Sequence, residues 1–221
     1  MEGIIIHKKQ ENYPYILFLH GWGLDASYLE DLAKDHQLFA NSVLLDLPGF
    51  GKKAPLEKAY DIEDYLAYIH RVLKENHIQI SLIVGHSFGG KLAMYYASRI
   101  EPVPLILLAP SILPKKRHKK WWNLLFKKPS KPSRDYLNAE GYLRSTLVRM
   151  VHRYPVFEMQ HFEKPVVLFI GSEDEEVTIQ QMEEAHHYLR NSELWIEKGN
   201  HFAYQRYKSE IIKKIKEVLA K

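Results

Sequence analysis

The sequence predicts an α/β fold: a mostly parallel sheet of about seven strands, helices on both faces, and a small inserted helical cap. Three observations predict it. Seven short apolar runs recur along the 221 residues, most without polar alternation, as strands covered on both faces require. Amphipathic helical patterns lie between them, and strand–helix alternation implies parallel strands joined by right-handed crossovers. The alternation breaks once, over residues 111–163, so that 1–110 and 164–221 form the core and 111–163 the inserted cap.

The strands are read in order as "GIIIH" (3–7), "YILFLH" (15–20), "SVLLDL" (42–47), "ISLIVG" (80–85), "PLILLA" (104–109), "PVVLFIG" (165–171) and "ELWIE" (193–197). In "DIEDYLAYIHRVLKENH", Ile62, Tyr65, Leu66, Ile69, Val72 and Leu73 share a helix face, with Asp61 as N-cap. The C-terminal "YKSEIIKKIKEVLAK" repeats that face with Ile211, Ile212, Ile215, Val218 and Leu219. The interruption opens on "PSILPKKRHKKWWNLLFKKPSKPSRD" and continues as one helical stretch, "YLNAEGYLRSTLVRMVHRY", lying over the carboxyl ends of the strands.

Composition narrows the function classes. The hydrophobic fraction of 46% is ample for a core, and the absence of cysteine excludes disulfides and thiolate chemistry. The N-terminal apolar run is too short for a signal peptide or a membrane span, which makes the cytoplasm the expected location. The net charge of +4 is local: Pro102–Arg134 holds nine Lys/Arg and no acidic residue, so the remainder is net negative. That distribution does not describe a nucleic-acid-binding body. Within the basic stretch, Trp121, Trp122, Leu124, Leu125 and Phe126 read as the apolar face of a cap helix, and alternatively as a weak membrane-surface contact.

The chemistry is carried by "LIVGHSFGGKLAM" (82–94). Gly85-His86-Ser87-Phe88-Gly89 fits G-x-S-x-G between a strand and a helix, a sharp turn that lifts the serine hydroxyl above the sheet edge. Side chains two residues before and after Ser87 would meet backbone, so both positions want glycine, and Gly90 lets the helix pack closely. A serine hydroxyl needs a histidine base oriented by a carboxylate. Asp174 follows "PVVLFI", and His201 lies in "KGNHFAY" before the last helix, the order such a turn requires. Glu173, Glu175 and Glu176 are rival carboxylates that read as a solvated loop. Two backbone amides are needed for the oxyanion: Phe88, after the nucleophile, and Trp22, in the glycine-rich His20-Gly21-Trp22-Gly23 loop. His20 braces that loop, and Asp46 fixes the "DLPGFG" loop by accepting backbone hydrogen bonds. His186-His187 form a solvated helix face, with no i+4 partner for a metal. His7, His77, His152 and His161 read as surface or structural.

With "HGWG", "DLPGFG", "GHSFGG", "GSEDEEV" and "GNHFAY" in that order, the sequence resembles the α/β-hydrolase superfamily over nearly the whole chain outside the insertion. The resemblance implies Ser87 as nucleophile, Asp174 as acid, His201 as base, and Trp22 and Phe88 as oxyanion donors. "HGWG" and "DLPGFG" are similar to those of small esterases such as the pimeloyl-ACP methyl ester esterases, and "SRDYLNAEGYLRSTLVRMV" looks like the cap of a group of small bacterial α/β hydrolases. The chain departs from the family in three ways. It is expected to lack the family's first antiparallel strand and to carry a reduced cap. Lys53 stands where serine or threonine is usual. Asn200 replaces the glycine before the base, a change that a residue tolerant of left-handed backbone accommodates. The expected activity is hydrolysis of a small-molecule carboxylic ester, or thioester, through an acyl-enzyme, with no metal or organic cofactor. Amide or C–C bond hydrolysis, and a non-catalytic binding protein on the same fold, are the alternatives.

Overall fold

The computed structural model describes residues 3–35, 37–115 and 134–220. Each expected strand is present within a residue or two: β1 (Ile4–His7), β2 (Tyr15–Leu19), β3 (Asn41–Leu45), β4 (Ile80–His86), β5 (Leu105–Leu108), β6 (Val166–Gly171) and β7 (Ser192–Glu197). They form one sheet in the order β1-β3-β2-β4-β5-β6-β7. The sheet opens on one antiparallel edge strand, β1, with Ile4 opposite Leu45; every other pairing is parallel. The order reverses at β2, which lies between β3 and β4, and a crevice at the carboxyl ends of the strands follows from that reversal.

Alternate strand residues feed two apolar layers. Leu17 and Leu19 of β2 face α2 (Ile62–Glu75), α3 (Phe88–Arg99) and α7 (Ile179–Tyr188), whereas Ile16 and Phe18 face α1 (Ser27–Ala33) and α8 (Lys208–Leu219). Helix α2 buries the six expected residues and Tyr68 as well. Asp61 caps it with a full capping box: its side chain accepts from the Asp64 amide, and the Asp64 side chain accepts from the Asp61 amide.

The insertion differs from expectation in one respect. The stretch read as helical, residues 136–154, is divided between the end of α4 (Arg134–Asn138) and α5 (Gly141–Met150), and a further helix, α6 (Val156–His161), follows it. The first break falls where Glu140 is extended (φ −125°, ψ 160°) and Gly141 takes φ 51°, a left-handed value open to glycine at little cost. Pro155 precedes α6 and ends the preceding turn. The aromatic and basic segment containing Trp121, Trp122, Leu124, Leu125 and Phe126 lies outside the described residues. Among those that are described, no helix is long and apolar enough to cross a membrane.

Candidate active site

Strand β4 ends at a residue whose backbone is forced. Ser87 has φ 51° and ψ −110°, a conformation that an L-residue holds only when its surroundings impose it. Its amide donates to Leu108 O (2.9 Å), and its carbonyl accepts from Lys91 N (3.2 Å) and Ser111 N (3.1 Å). The flanking glycines are required sterically. A Cβ at Gly89 would stand 2.1 Å from Leu19 O, and one at Gly85 would stand 2.7 Å from Gly89 O. A Cβ at Gly90 would stand 2.7 Å from Pro110 Cβ, which accounts for the close seating of α3. Ser87 is half-buried amid buried neighbours, at the N-terminus of α3.

The loops after β6 and β7 meet because Gly171 has no side chain: a Cβ there would stand 2.2 Å from Gly199 O and 2.4 Å from Asn200 O. Glu173 N donates to Gly199 O across the same junction (2.8 Å). The positive φ of this turn, 143°, is at Gly199 and not at Asn200, whose side chain instead accepts from Phe202 N (3.0 Å). The two loops bring Asp174 and His201 together. His201 Nδ1–H donates to Asp174 Oδ2 (2.8 Å), and Asp174 Oδ1 accepts from the amides of Glu176 (2.8 Å) and Val177 (2.9 Å). With its Nδ1 proton held by the carboxylate, the neutral ring presents Nε2 as its basic atom. Glu173, Glu175 and Glu176 are exposed, as expected, and it is Asp174, with a side chain 0% exposed, that holds the imidazole. His201 and Ser87 line one cavity of about 520 Å³ without a hydrogen bond between them. Such bonds often tighten only once substrate is bound.

Leu19 at the end of β2 pairs with Gly85 of β4, so the His20–Gly23 loop lies beside the serine turn. His20 braces it, as expected. Its Nε2 accepts from Leu47 N (2.9 Å), its Nδ1–H donates to Gly21 O (2.7 Å), and burial lowers its pKa and keeps it neutral. The Trp22 ring packs edge-on against Phe50 (4.9 Å) and Phe88 (5.3 Å). Among the described residues, neither the Trp22 nor the Phe88 amide has a hydrogen-bond acceptor, which leaves both donors open beside Ser87. Asp46 accepts from Ala26 N (2.8 Å) and Lys52 N (2.9 Å), tying together the loops after β2 and β3 as expected.

Two residues at the site escaped the sequence reading. His86, 1% exposed, stacks on His201 (4.7 Å between rings), and its Nε2–H donates to His201 O (3.1 Å). Burial, then the neighbouring His201, push its pKa down to about 3, so it is a neutral support for the loop that carries His201. The other is Lys91, 4% exposed, one helical turn after Ser87. The only signal for either was a polar letter inside an otherwise apolar run. Of the His186-His187 pair, His186 Nδ1 contacts Ser192 Oγ (2.7 Å).

Known proteins resemble this chain in sequence and in fold. A 2-succinyl-6-hydroxy-2,4-cyclohexadiene-1-carboxylate synthase of Yersinia enterocolitica is 34% identical over 92 residues, 40% of this chain and 32% of that protein. A pimeloyl-[acyl-carrier protein] methyl ester esterase of Pseudoalteromonas atlantica is 34% identical over 102 residues, 44% of this chain and 38% of its own length. These matches thus span little more than a third of the relatives at most. Among solved structures, an esterase from Exiguobacterium antarcticum superposes with a TM-score of 0.76 at 14% identity, covering 99% of this chain and 96% of that one, a likeness of fold. A family model described as the alpha/beta hydrolase family matches residues 16–212, and the chain belongs to that family.

Proposed function

We propose that the protein is a serine hydrolase that cleaves a small-molecule carboxylic ester, or thioester, through an acyl-enzyme. One observation carries the reading: a strained Ser87 and a carboxylate-oriented His201 line a single cavity beside two unpaired amides. Ser87 Oγ attacks the carbonyl carbon while His201 Nε2 takes its proton. The carbonyl oxygen gains the negative charge and is met by the Trp22 and Phe88 amides. Collapse expels the alcohol or thiol, which takes the proton from His201. Water then repeats the sequence and releases the acid. Asp174 keeps the imidazole in the productive tautomer and stabilises the imidazolium.

The names of the sequence relatives, an esterase among them, support ester chemistry. A cap role for the insertion is supported by Asp135, Asn138, Ala139 and Leu143, which line the Ser87 cavity. A panel of benzyl and p-nitrophenyl esters tests the reading. Turnover that disappears in Ser87→Ala, with the fold retained, is the expected result. A folded wild-type chain that turns over none of them, and that a fluorophosphonate does not label, would instead be a binding protein on a hydrolase fold.

A further inference from the structure

Lys91 is a buried cation that forms no ion pair among the described residues. It sits in the first turn of α3, four residues after Ser87, and both residues line one cavity. Its Nζ donates to Met150 O (3.1 Å) and lies 4.8 Å from the Tyr154 ring. An ammonium has three protons to donate, and among the described residues one acceptor is in place. No carboxylate pairs with it, and none can come from residues 116–133, which contain no acidic residue. Burial alone pushes its pKa down to about 8, which leaves it mostly charged at neutral pH. An apolar side chain of similar length would fill the same space without that penalty.

What Lys91 faces gives the cost a purpose. It lines a second cavity, about 210 Å³, together with Ser87, Phe88, Leu147 and Tyr154. The larger cavity is the one that holds His201. A leaving group takes its proton from His201, so it belongs in the larger cavity. The acyl chain, attached to the carbon that Ser87 attacks, then extends into the smaller one. Asp135 and Glu176 line both cavities and so mark their junction beside Ser87. Lys91 belongs to the smaller cavity alone, and Lys115 adds a second, exposed cation to it.

Resting on the serine-hydrolase reading, the geometry points to an acyl pocket in which Lys91 binds an anionic group at the far end of the acyl chain: the substrates are half-esters, or half-thioesters, of short dicarboxylic acids with the distal carboxylate free. The carboxylate supplies the acceptor that the ammonium lacks, in a site where exclusion of water strengthens the pairing. A pocket of about 210 Å³ suits a short acyl chain such as succinyl.

The test compares monobenzyl succinate with benzyl pentanoate, a neutral ester of matching length, by benzyl alcohol release, and titrates the intact protein with succinate and with butyrate. The wild type should favour the half-ester by about tenfold or more in kcat/KM, mostly through KM, and should bind succinate more tightly than butyrate. Lys91→Met should reverse the ester preference and lose succinate binding without a lower Tm at pH 7, whereas a purely structural lysine would lower Tm and leave the preference. Lys91→Gln serves the same comparison if Lys91→Met does not fold. Equal or better turnover of benzyl pentanoate by the wild type overturns the proposal. If neither ester reacts and Ser87 resists labelling, the hydrolase reading fails. The succinate titration then still decides whether Lys91 holds a carboxylate.

Discussion

Two buried charges lie on either side of Ser87, and they are treated in opposite ways. Asp174 is closed inside the protein: its two oxygens accept from His201 and from two backbone amides, all at 2.8–2.9 Å. Lys91 is also buried and, among the described residues, has one carbonyl and the face of a tyrosine. A carboxylate satisfied on every side is fixed in place, which is what orienting an imidazole demands. An ammonium left short of acceptors stays costly until something enters to meet it. The difference separates a group that serves the reaction by holding still from one whose partner arrives with the substrate.

The largest expected effect breaks the comparison at its satisfied end. Asp174→Asn should lower kcat about 10⁴-fold, because the amide can offer Nδ1 a donor and favour the wrong tautomer. Glu173→Gln, on the exposed loop beside it, should stay within about threefold in the same steady-state assay. A crippled Glu173→Gln beside an active Asp174→Asn would mean that the acid is misassigned. The next effect sharpens the unsatisfied end. Folding depresses the Lys91 pKa from 10.5 to about 8, so between those values the unfolded chain binds more protons and stability rises with pH. The full penalty is present below pH 8. Lys91→Met should therefore be more stable than the wild type by up to about 3 kcal/mol at pH 7, with the gap closing as pH rises from 8 towards 10.5. Urea unfolding of both proteins at several pH values measures it, and a gap that is constant with pH would contradict it. The smallest effect is a control far from both charges. Asp61→Ala removes the α2 capping box and should cost about 1 kcal/mol in the same unfolding assay, with kcat unchanged.

Why the sequence revealed one of these charges and hid the other follows from where they sit. Strands buried on both faces appear as bare apolar runs, so "PVVLFIG" and the other six marked the sheet and, with it, the strand ends where Asp174, His201 and Trp22 stand. The serine turn was legible because its glycines are dictated by contacts with backbone, as at Gly89. Helix α3 offered no such guide. Every residue from Phe88 to Ala97 is buried, so the helix has no polar face to which a lone lysine could be assigned. The dense basic run after Pro114 dominates the charge pattern and masks an isolated lysine. The break between α4 and α5 was hidden for a related reason: the two carry a continuous helical composition, and only the glycine at position 141, unremarkable by itself, marks it.

The most direct test of the catalytic assignment is covalent. Intact-mass and peptide analysis after reaction with a fluorophosphonate should find a single adduct, at full stoichiometry, on the peptide carrying Ser87. Its rate of formation should fall by orders of magnitude in His201→Ala. No adduct should form in Ser87→Ala. An adduct on another residue, or full labelling of Ser87→Ala, would contradict the account.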